Sequence, residues 1–349
     1  MKKVSYDDIL DIDKIFETYY RIKINSKHKQ KCINFDLNKG NNIIDIYKTL
    51  ESRNYHHGLY NIFIIRIPKE RVILSEGLKD KVVNHLVSNY LLKPLIIPKL
   101  INSNIATREN MGTSYGIKLL KKYFNKLKFY NKEIYILKCD IKKYFFNIDH
   151  NILISKLCKI IKDKDILNIV NTLIESTNRS YINDCIKSMG LDLPIYKNKK
   201  GLPIGNMSSQ LLAIFYLNDL DHYIKEKLKI KYYLRYMDDF ILIHNDKTYL
   251  NYCLKEIDKL LKGLKLSLNN KTEIINFKHG FNFLGYRFKL INQKLIIKVI
   301  SKNRYRIKRK LYILKEKDYL KYVKSKSSYK GYFLIDNSNK SKWLTIVDR

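Results

Sequence analysis

The segment Tyr232-Tyr233-Leu234-Arg235-Tyr236-Met237-Asp238-Asp239-Phe240-Ile241-Leu242-Ile243 decides how this chain is read. Two β-prone runs, Tyr232–Tyr236 and Phe240–Ile243, flank Met237-Asp238-Asp239, the pattern of a tight hairpin with two carboxylates at its tip. Taken alone, an Asp-Asp pair is commonly just a polar turn. A second apolar, β-branched run, Ile134-Tyr135-Ile136-Leu137-Lys138-Cys139-Asp140-Ile141, also carries a carboxylate near its end. Unpaired carboxylates among buried strands are costly and need a partner. If the two elements are neighbours in one sheet, Asp140, Asp238 and Asp239 converge with no obvious Lys or Arg among them. A divalent cation is then the natural counter-charge. Mg2+ takes oxygen ligands, usually one or two carboxylates, and completes its shell with water and phosphate oxygens. Two such ions about 3.5–4 Å apart activate an attacking hydroxyl and stabilise the leaving oxygen in phosphoryl transfer, with Mn2+ as a substitute. Neighbours along a strand face opposite ways, so Asp238 and Asp239 share a site only because they occupy a turn. Asp238 is expected to bridge both ions, with Asp239 more peripheral.

Composition narrows the partners. Among 349 residues, 68 Lys and Arg against 33 Asp and Glu leave a formal charge of +35. Such a surplus concentrates polyanions, nucleic acid above all. Part of it reflects a general richness in Lys, Ile, Asn and Tyr. The 28 Tyr and 14 Phe add stacking surfaces for bases. Hydrophobic residues at 45% exclude a disordered polycation. No apolar run reaches the roughly 18 residues of a membrane span, and no secretory signal opens the chain. His56, His57 and His150 lie in no metal-ligand spacing and are expected to be structural. The cysteines Cys32, Cys139, Cys158, Cys185 and Cys253 are odd in number and form no C-x-x-C pair. They read as small hydrophobes in a cytoplasmic protein, with Cys139 facing away from Asp140.

Working outward, residues 1–60 read as helical. Asn61–Ile67 and Val72–Leu74 read as strands around a turn at Pro68–Arg71, and Lys79–Leu92 as a helix. Met207 to about Leu228 reads as one helix with Ser208 available as its cap and an acidic pair, Asp219 and Asp221, further on. Residues 250–265 read as a helix, Phe281–Phe288 as strand, and the last 60 residues as basic and largely helical.

In this order the motifs resemble reverse transcriptases. Lys138 to Phe146 with Ile148-Asp149-His150 resembles the family's first catalytic motif, and Tyr236–Asp239 its second. Gly201-Leu202-Pro203-Ile204-Gly205-Asn206-Met207-Ser208-Ser209-Gln210 is similar to its substrate loop. Leu268–Thr272 and the primer-grip sequence Phe283-Leu284-Gly285-Tyr286 follow. Ile67–Arg71, Asp80–Val83, Ala106–Arg108 and Gly112-Thr113 resemble the fingers. The resemblance implies an α+β right-hand polymerase: an N-terminal helical extension (1–60), fingers (61–130), a palm with an antiparallel sheet (131–290) and a basic helical thumb (291–349).

It also implies roles. Asp140, Asp238 and Asp239 would be catalytic metal ligands. Lys69 and Arg71 would meet the triphosphate, Arg as a two-pronged donor and Lys as a point charge. Ile204, Gly205 and Gln210 would line the nucleotide site. Phe145, five residues after Asp140, would sit under the sugar and reject a 2′-hydroxyl, so the substrates would be dNTPs. Lys271 would be a proton donor to pyrophosphate, unless it is only a surface lysine. Arg108, Phe283, Leu284, Gly285, Tyr286, Arg304, Arg306 and Arg309 would contact primer and template, here an RNA and its cDNA product.

Many reverse transcriptases have Gln where this chain has Ile204. The Gly-Leu-Pro-Ile-Gly-Asn loop, the segment Arg304–Leu311 and Ser328–Phe333 with Asn337-Ser338 are similar to diversity-generating retroelement enzymes, which miscopy adenines. Those imply a cognate RNA template and a small basic accessory protein. Bacterial antiviral-defence reverse transcriptases are the close alternative, and a catalytically silent RNA-binding scaffold a third. With no endonuclease, maturase or RNase H segment expected after the thumb, a mobile intron protein is disfavoured.

Overall fold

The computed structural model describes residues 4–24, 30–67, 69–127, 133–190, 192–292 and 294–338. Pro68, the junction at residue 130/131 and the thumb residues after 338 lie outside these. At the centre is a four-stranded antiparallel sheet in the order β4-β5-β3-β6, formed by β3 (Tyr135–Asp140), β4 (Tyr232–Tyr236), β5 (Asp239–His244) and β6 (Glu273–Asn276). Alternation along β3 and β5 gives the sheet two apolar faces. Leu137, Cys139, Tyr233, Phe240 and Leu242 join one core with the helix Met207–Tyr216. Ile136, Leu234, Ile241 and Ile243 join a second core with Ile117, Leu120 and Phe124 of the helix Thr113–Leu127. Cys139, fully buried, thus faces away from Asp140 as expected, whereas Cys158 is exposed.

The N-terminal helices Ile12–Ile24, Gln30–Leu37 and Lys39–Glu51 pack against Leu78–Leu86, which continues through a wider π-helical stretch, Val87–Leu92. Next to them, β1 (Asn61–Ile65) and β2 (Arg71–Ser75) form an antiparallel hairpin. Val72 and Leu74 bury its inner side. The Leu74 N–H donates to the Ile204 carbonyl at 2.9 Å. A Cβ at Gly205 would stand 2.7 Å from the Leu74 carbonyl oxygen, and its φ is +134°. Only glycine allows this approach, which docks the loop at Ile204 and Gly205 on the β1–β2 hairpin.

Three expectations are corrected. The single helix over Met207–Leu228 is broken: Met207–Tyr216 and Asn218–His222 meet at Leu217, and a π-helical turn, Tyr223–Lys227, follows. Ser208 does not cap it. Asn206 takes that position, and the Ser208 N–H is satisfied from another helix, by Asn84 Oδ1 at 2.9 Å. Phe281–Phe288 is a hairpin rather than one strand: β7 (Phe281–Phe283) and β8 (Tyr286–Ile291) turn at Leu284 and Gly285, whose φ values are +51° and +85°. Positive φ at both central residues is the tight-hairpin geometry that matches strand twist.

With β9 (Lys294–Val299), this hairpin makes a separate three-stranded sheet, so the 290/291 boundary drawn between palm and thumb falls inside β8. The helices Ser301–Lys317 and Tyr319–Phe333 follow. The buried Asp336 accepts from the Val299 N–H at 2.9 Å and ties the chain back to β9.

Candidate active site

Register brings the acids together. In the β3–β5 pairing Asp140 stands directly opposite Asp239, and in β4–β5 Tyr236 stands opposite Asp239. Met237 and Asp238 are therefore the two central residues of the turn, with Met237 at φ +57°. Paired residues of an antiparallel ladder project to one face, so Asp140 and Asp239 point the same way. Asp140 Oδ2 accepts from Asn269 Nδ2 at 2.9 Å, and the Asp140 carbonyl accepts from the Asn269 N–H at 2.7 Å.

The electrostatics follow from burial. Asp239 has its pKa pushed up to about 7, first by burial and then by Asp140 and Asp238, against the attraction of Lys138 and Lys69. Asp238 is also raised, by burial and by Asp140, with Arg71 and Arg235 opposing. Lys138 is a cation that the sequence reading placed outside the cluster. Two residues before Asp140 on the same strand, it shares the acid face, and that period-two spacing was the signal for it.

Asp239 Oδ1 is buried and accepts no hydrogen bond. Among the described residues no three His, Cys, Asp or Glu side chains gather tightly enough to enclose a metal ion unaided. An orphaned carboxylate oxygen beside two further carboxylates nonetheless fits a hard cation that takes one or two protein oxygens and fills its shell from water and substrate. Asp140, Asp238 and Asp239 are the residues that would hold Mg2+.

Around the acids, the fingers hairpin brings exposed Lys69 and Arg71 within electrostatic reach of Asp239 and Asp238. Phe145 lies half-buried in the helical turn Tyr144–Asn147, its ring edge-on to Tyr144 at 5.8 Å. The Phe145 carbonyl accepts from the Leu202 N–H at 2.8 Å, which joins this turn to the substrate loop. Ile204 packs against the apolar cluster of Tyr60, Val72 and Leu74. Gln210 is exposed in the first turns of the helix Met207–Tyr216, and Lys271 is exposed. His150 holds the Gly201 carbonyl at 2.8 Å, the structural role expected of it.

The Leu284–Gly285 turn is joined to the last helix. Tyr332 Oη donates to the Gly285 carbonyl at 2.8 Å, and Tyr286 Oη donates to the Tyr332 carbonyl at 2.9 Å. A groove of about 480 Å³ runs between them, lined by Leu284, Tyr286, Asn303, Arg306, Tyr329 and Tyr332 among others. Phe283 is buried in the apolar core and Arg309 is exposed on the helix Ser301–Lys317. Arg304 is partly buried on the same helix. Arg108 spends a guanidinium nitrogen on the Ile101 and Asn104 carbonyls of its own loop, at 2.8 and 3.2 Å.

Two buried networks escaped the sequence reading. Glu76 Oε1 accepts from Asn206 Nδ2 at 2.6 Å and Asn84 Nδ2 at 2.8 Å, with His57 Nε2 at 3.4 Å, and so pins the loop before the helix Met207–Tyr216 to the segment after β2. Asp221 and Arg235 form a fully buried ion pair beneath the Met237–Asp238 turn.

A family profile described as reverse transcriptase (RNA-dependent DNA polymerase) matches residues 68–288. Protein YkfC of Escherichia coli (strain K12) is 27% identical over 188 residues, which are 44% of this chain and 46% of YkfC. The chain thus spans less than half of that relative. A structure of telomerase from Candida albicans with a fragment of telomeric RNA superposes with a TM-score of 0.50 at 16% identity, covering 72% of this chain and 46% of the telomerase chain. Apo telomerase from Candida tropicalis, truncated at its C-terminal domain, superposes with a TM-score of 0.50 at 18% identity, over 69% of this chain and 55% of that one. These likenesses show the right-hand polymerase fold. The profile covers more than half of the chain, and the chain therefore belongs to the reverse transcriptase (RNA-dependent DNA polymerase) family.

Proposed function

We propose that the protein is an RNA-directed DNA polymerase that copies a cognate RNA into cDNA from dNTPs, with low fidelity, as part of a diversity-generating retroelement. The observation that carries the polymerase reading is the register of Asp140 against Asp239, with Asp238 in the adjoining turn and Lys69 and Arg71 within electrostatic reach. Bound there, Mg2+ would supply charge neutralisation for the phosphates and activation of the primer hydroxyl. The protein's own groups do the rest. Lys69 and Arg71 neutralise the triphosphate, and Phe145 presents an apolar edge where a ribose 2′-hydroxyl would lose its solvation. The Leu284–Gly285 turn, braced by Tyr332, sets the height of the primer end.

Primer extension on poly(rA)·oligo(dT) with Mg2+ and dTTP tests this. Wild type is expected to extend, and Asp238→Ala to lose extension. Equal incorporation by the two would leave an RNA-binding scaffold with a polymerase fold.

The low-fidelity assignment rests on Ile204, whose side chain packs into an apolar cluster and has no amide to offer the nascent base pair. Sequencing of cDNA made on the cognate RNA is expected to show substitutions concentrated at template adenines. Accurate copying of adenines rejects diversification and favours antiviral defence, the second reading, where the same apolar substitution also occurs. A small basic accessory protein belongs to the first reading, and its requirement shows as dependence of processive copying on an added partner.

A further inference from the structure

Arg235 lies on β4 with its side chain on the face opposite the acids, paired with Phe240 across the sheet. It is completely buried. Nε and Nη2 grip Asp221 at 2.7 and 2.5 Å, and Nη2 also donates to the Ile214 carbonyl at 2.9 Å. The remaining arm, Nη1, donates to the Met237 carbonyl at 2.8 Å. Tyr233 Oη holds Asp221 from the other side at 2.6 Å. The backbone of Arg235 is tied as well: its N–H donates to the Ser103 carbonyl at 2.9 Å, and its carbonyl accepts from the Ile105 N–H at 3.0 Å.

Stability alone does not call for this arrangement. A buried ion pair exchanged for apolar groups of similar volume is often neutral or better. What only the guanidinium supplies is a donor at the Met237 carbonyl. That carbonyl shares a rigid peptide plane with the Asp238 N–H, so its direction sets where the Asp238 side chain departs. Met237 is a non-glycine residue at φ +57°, a left-handed conformation that must be held by its surroundings.

We propose that Arg235, locked in place by Asp221, is a positioning residue that orients the Met237–Asp238 peptide and through it the Asp238 carboxylate. This rests on the polymerase reading above. In the full chain, Arg235→Met alone leaves Asp221 buried and unpaired and should lower Tm. The double variant Arg235→Met with Asp221→Asn removes both charges together and keeps an acceptor for Tyr233. Its Tm is expected to return to near the wild-type value while kcat for dTTP incorporation stays down by about a hundredfold. KM for dTTP should be unchanged, and the Mg2+ concentration for half-maximal rate should rise. Recovery of kcat together with Tm overturns the inference, because the pair would then be structural only. Should the double variant not fold, Arg235→Lys decides. It keeps the buried charge, but a single ammonium cannot span the acceptors held by the fork. A depressed kcat at unchanged KM supports positioning, and wild-type kcat overturns it. Failure of wild type itself to extend a primer defeats the polymerase reading instead, so the two failures are distinguishable.

Discussion

The palm sheet and the thumb solve opposite problems. In the palm, Asp140 and Asp239 sit on a sheet packed on both faces with Asp238 in the adjoining turn, and hydrogen bonds from Asn269 and Arg235 hold Asp140 and the turn. In the thumb, Ile307 and Leu311 are the buried positions of the helix Ser301–Lys317, while Tyr305 and Tyr312 are about 70% exposed among lysines and arginines. Burial makes each charge in the palm expensive and sensitive to direction. Exposure makes each charge in the thumb cheap, screened and interchangeable. On the proposed reading, chemistry uses the first and a grip on a phosphate backbone the second.

The largest effect should come from the palm. Asp238→Ala is expected to lower kcat roughly 10³-fold or more, the size of the several kcal/mol of charge stabilisation a lost ligand represents. Fluorescence anisotropy with a labelled RNA–DNA hybrid should meanwhile show unaltered binding. Loss of binding without loss of rate would reverse the division of labour. Next in size, neutralising Arg304, Arg306 and Arg309 together should weaken hybrid binding uniformly across sequences. The slope of log K against log salt should fall by about 2–3, with kcat at saturation preserved. A sequence-dependent loss would give the thumb a reading role and erase the contrast.

Phe145→Ala sharpens the palm side further. Discrimination between dTTP and UTP is expected to fall roughly 10–100-fold, since one shape contact in a pocket contributes about 1–3 kcal/mol. Unchanged sugar selection would remove Phe145 from the nucleotide site.

A further effect is on stability. A carboxyl raised to about 7 in the folded state ionises near 4 when unfolded, so the unfolded chain holds fewer protons between those pH values and stability is lost as pH rises through that window. Asp239→Asn is spared this. Its Tm advantage over wild type should grow from about pH 4 to about pH 7, level off above, and shrink when Mg2+ is added. A pH-independent difference means the Asp239 carboxyl is not desolvated.

Much of this was legible in residue pattern. Alternating β-branched runs and a turn between them place the two aspartate-bearing strands within a residue or two of their observed ends. Gly205 and Gly285 mark backbone positions where φ is positive and neighbours crowd in. What pattern missed are partners distant in sequence. Asn269 meets Asp140 across 129 positions, Asn206 meets Glu76 across 130, and Asn84 caps Ser208 across 124. No local spacing encodes such pairs, because a polar side chain looks alike in solvent and in a buried network. Asp219 and Asp221 show this best. They read as one acidic pair on a helix, yet Asp219 is exposed and paired with Lys156, while Asp221 is sealed against Arg235.

By itself, then, the sequence determined the strands, the turn, the charge surplus and the identity of the three acids, all of which depend on interactions within a few residues or on composition. Only tertiary structure decided that Asp140 faces Asp239, that Asn269 meets Asp140, and that the turn hangs from Arg235. Those outcomes depend on which strands become neighbours and which side chains lose water, and that is settled when the two cores close on the sheet.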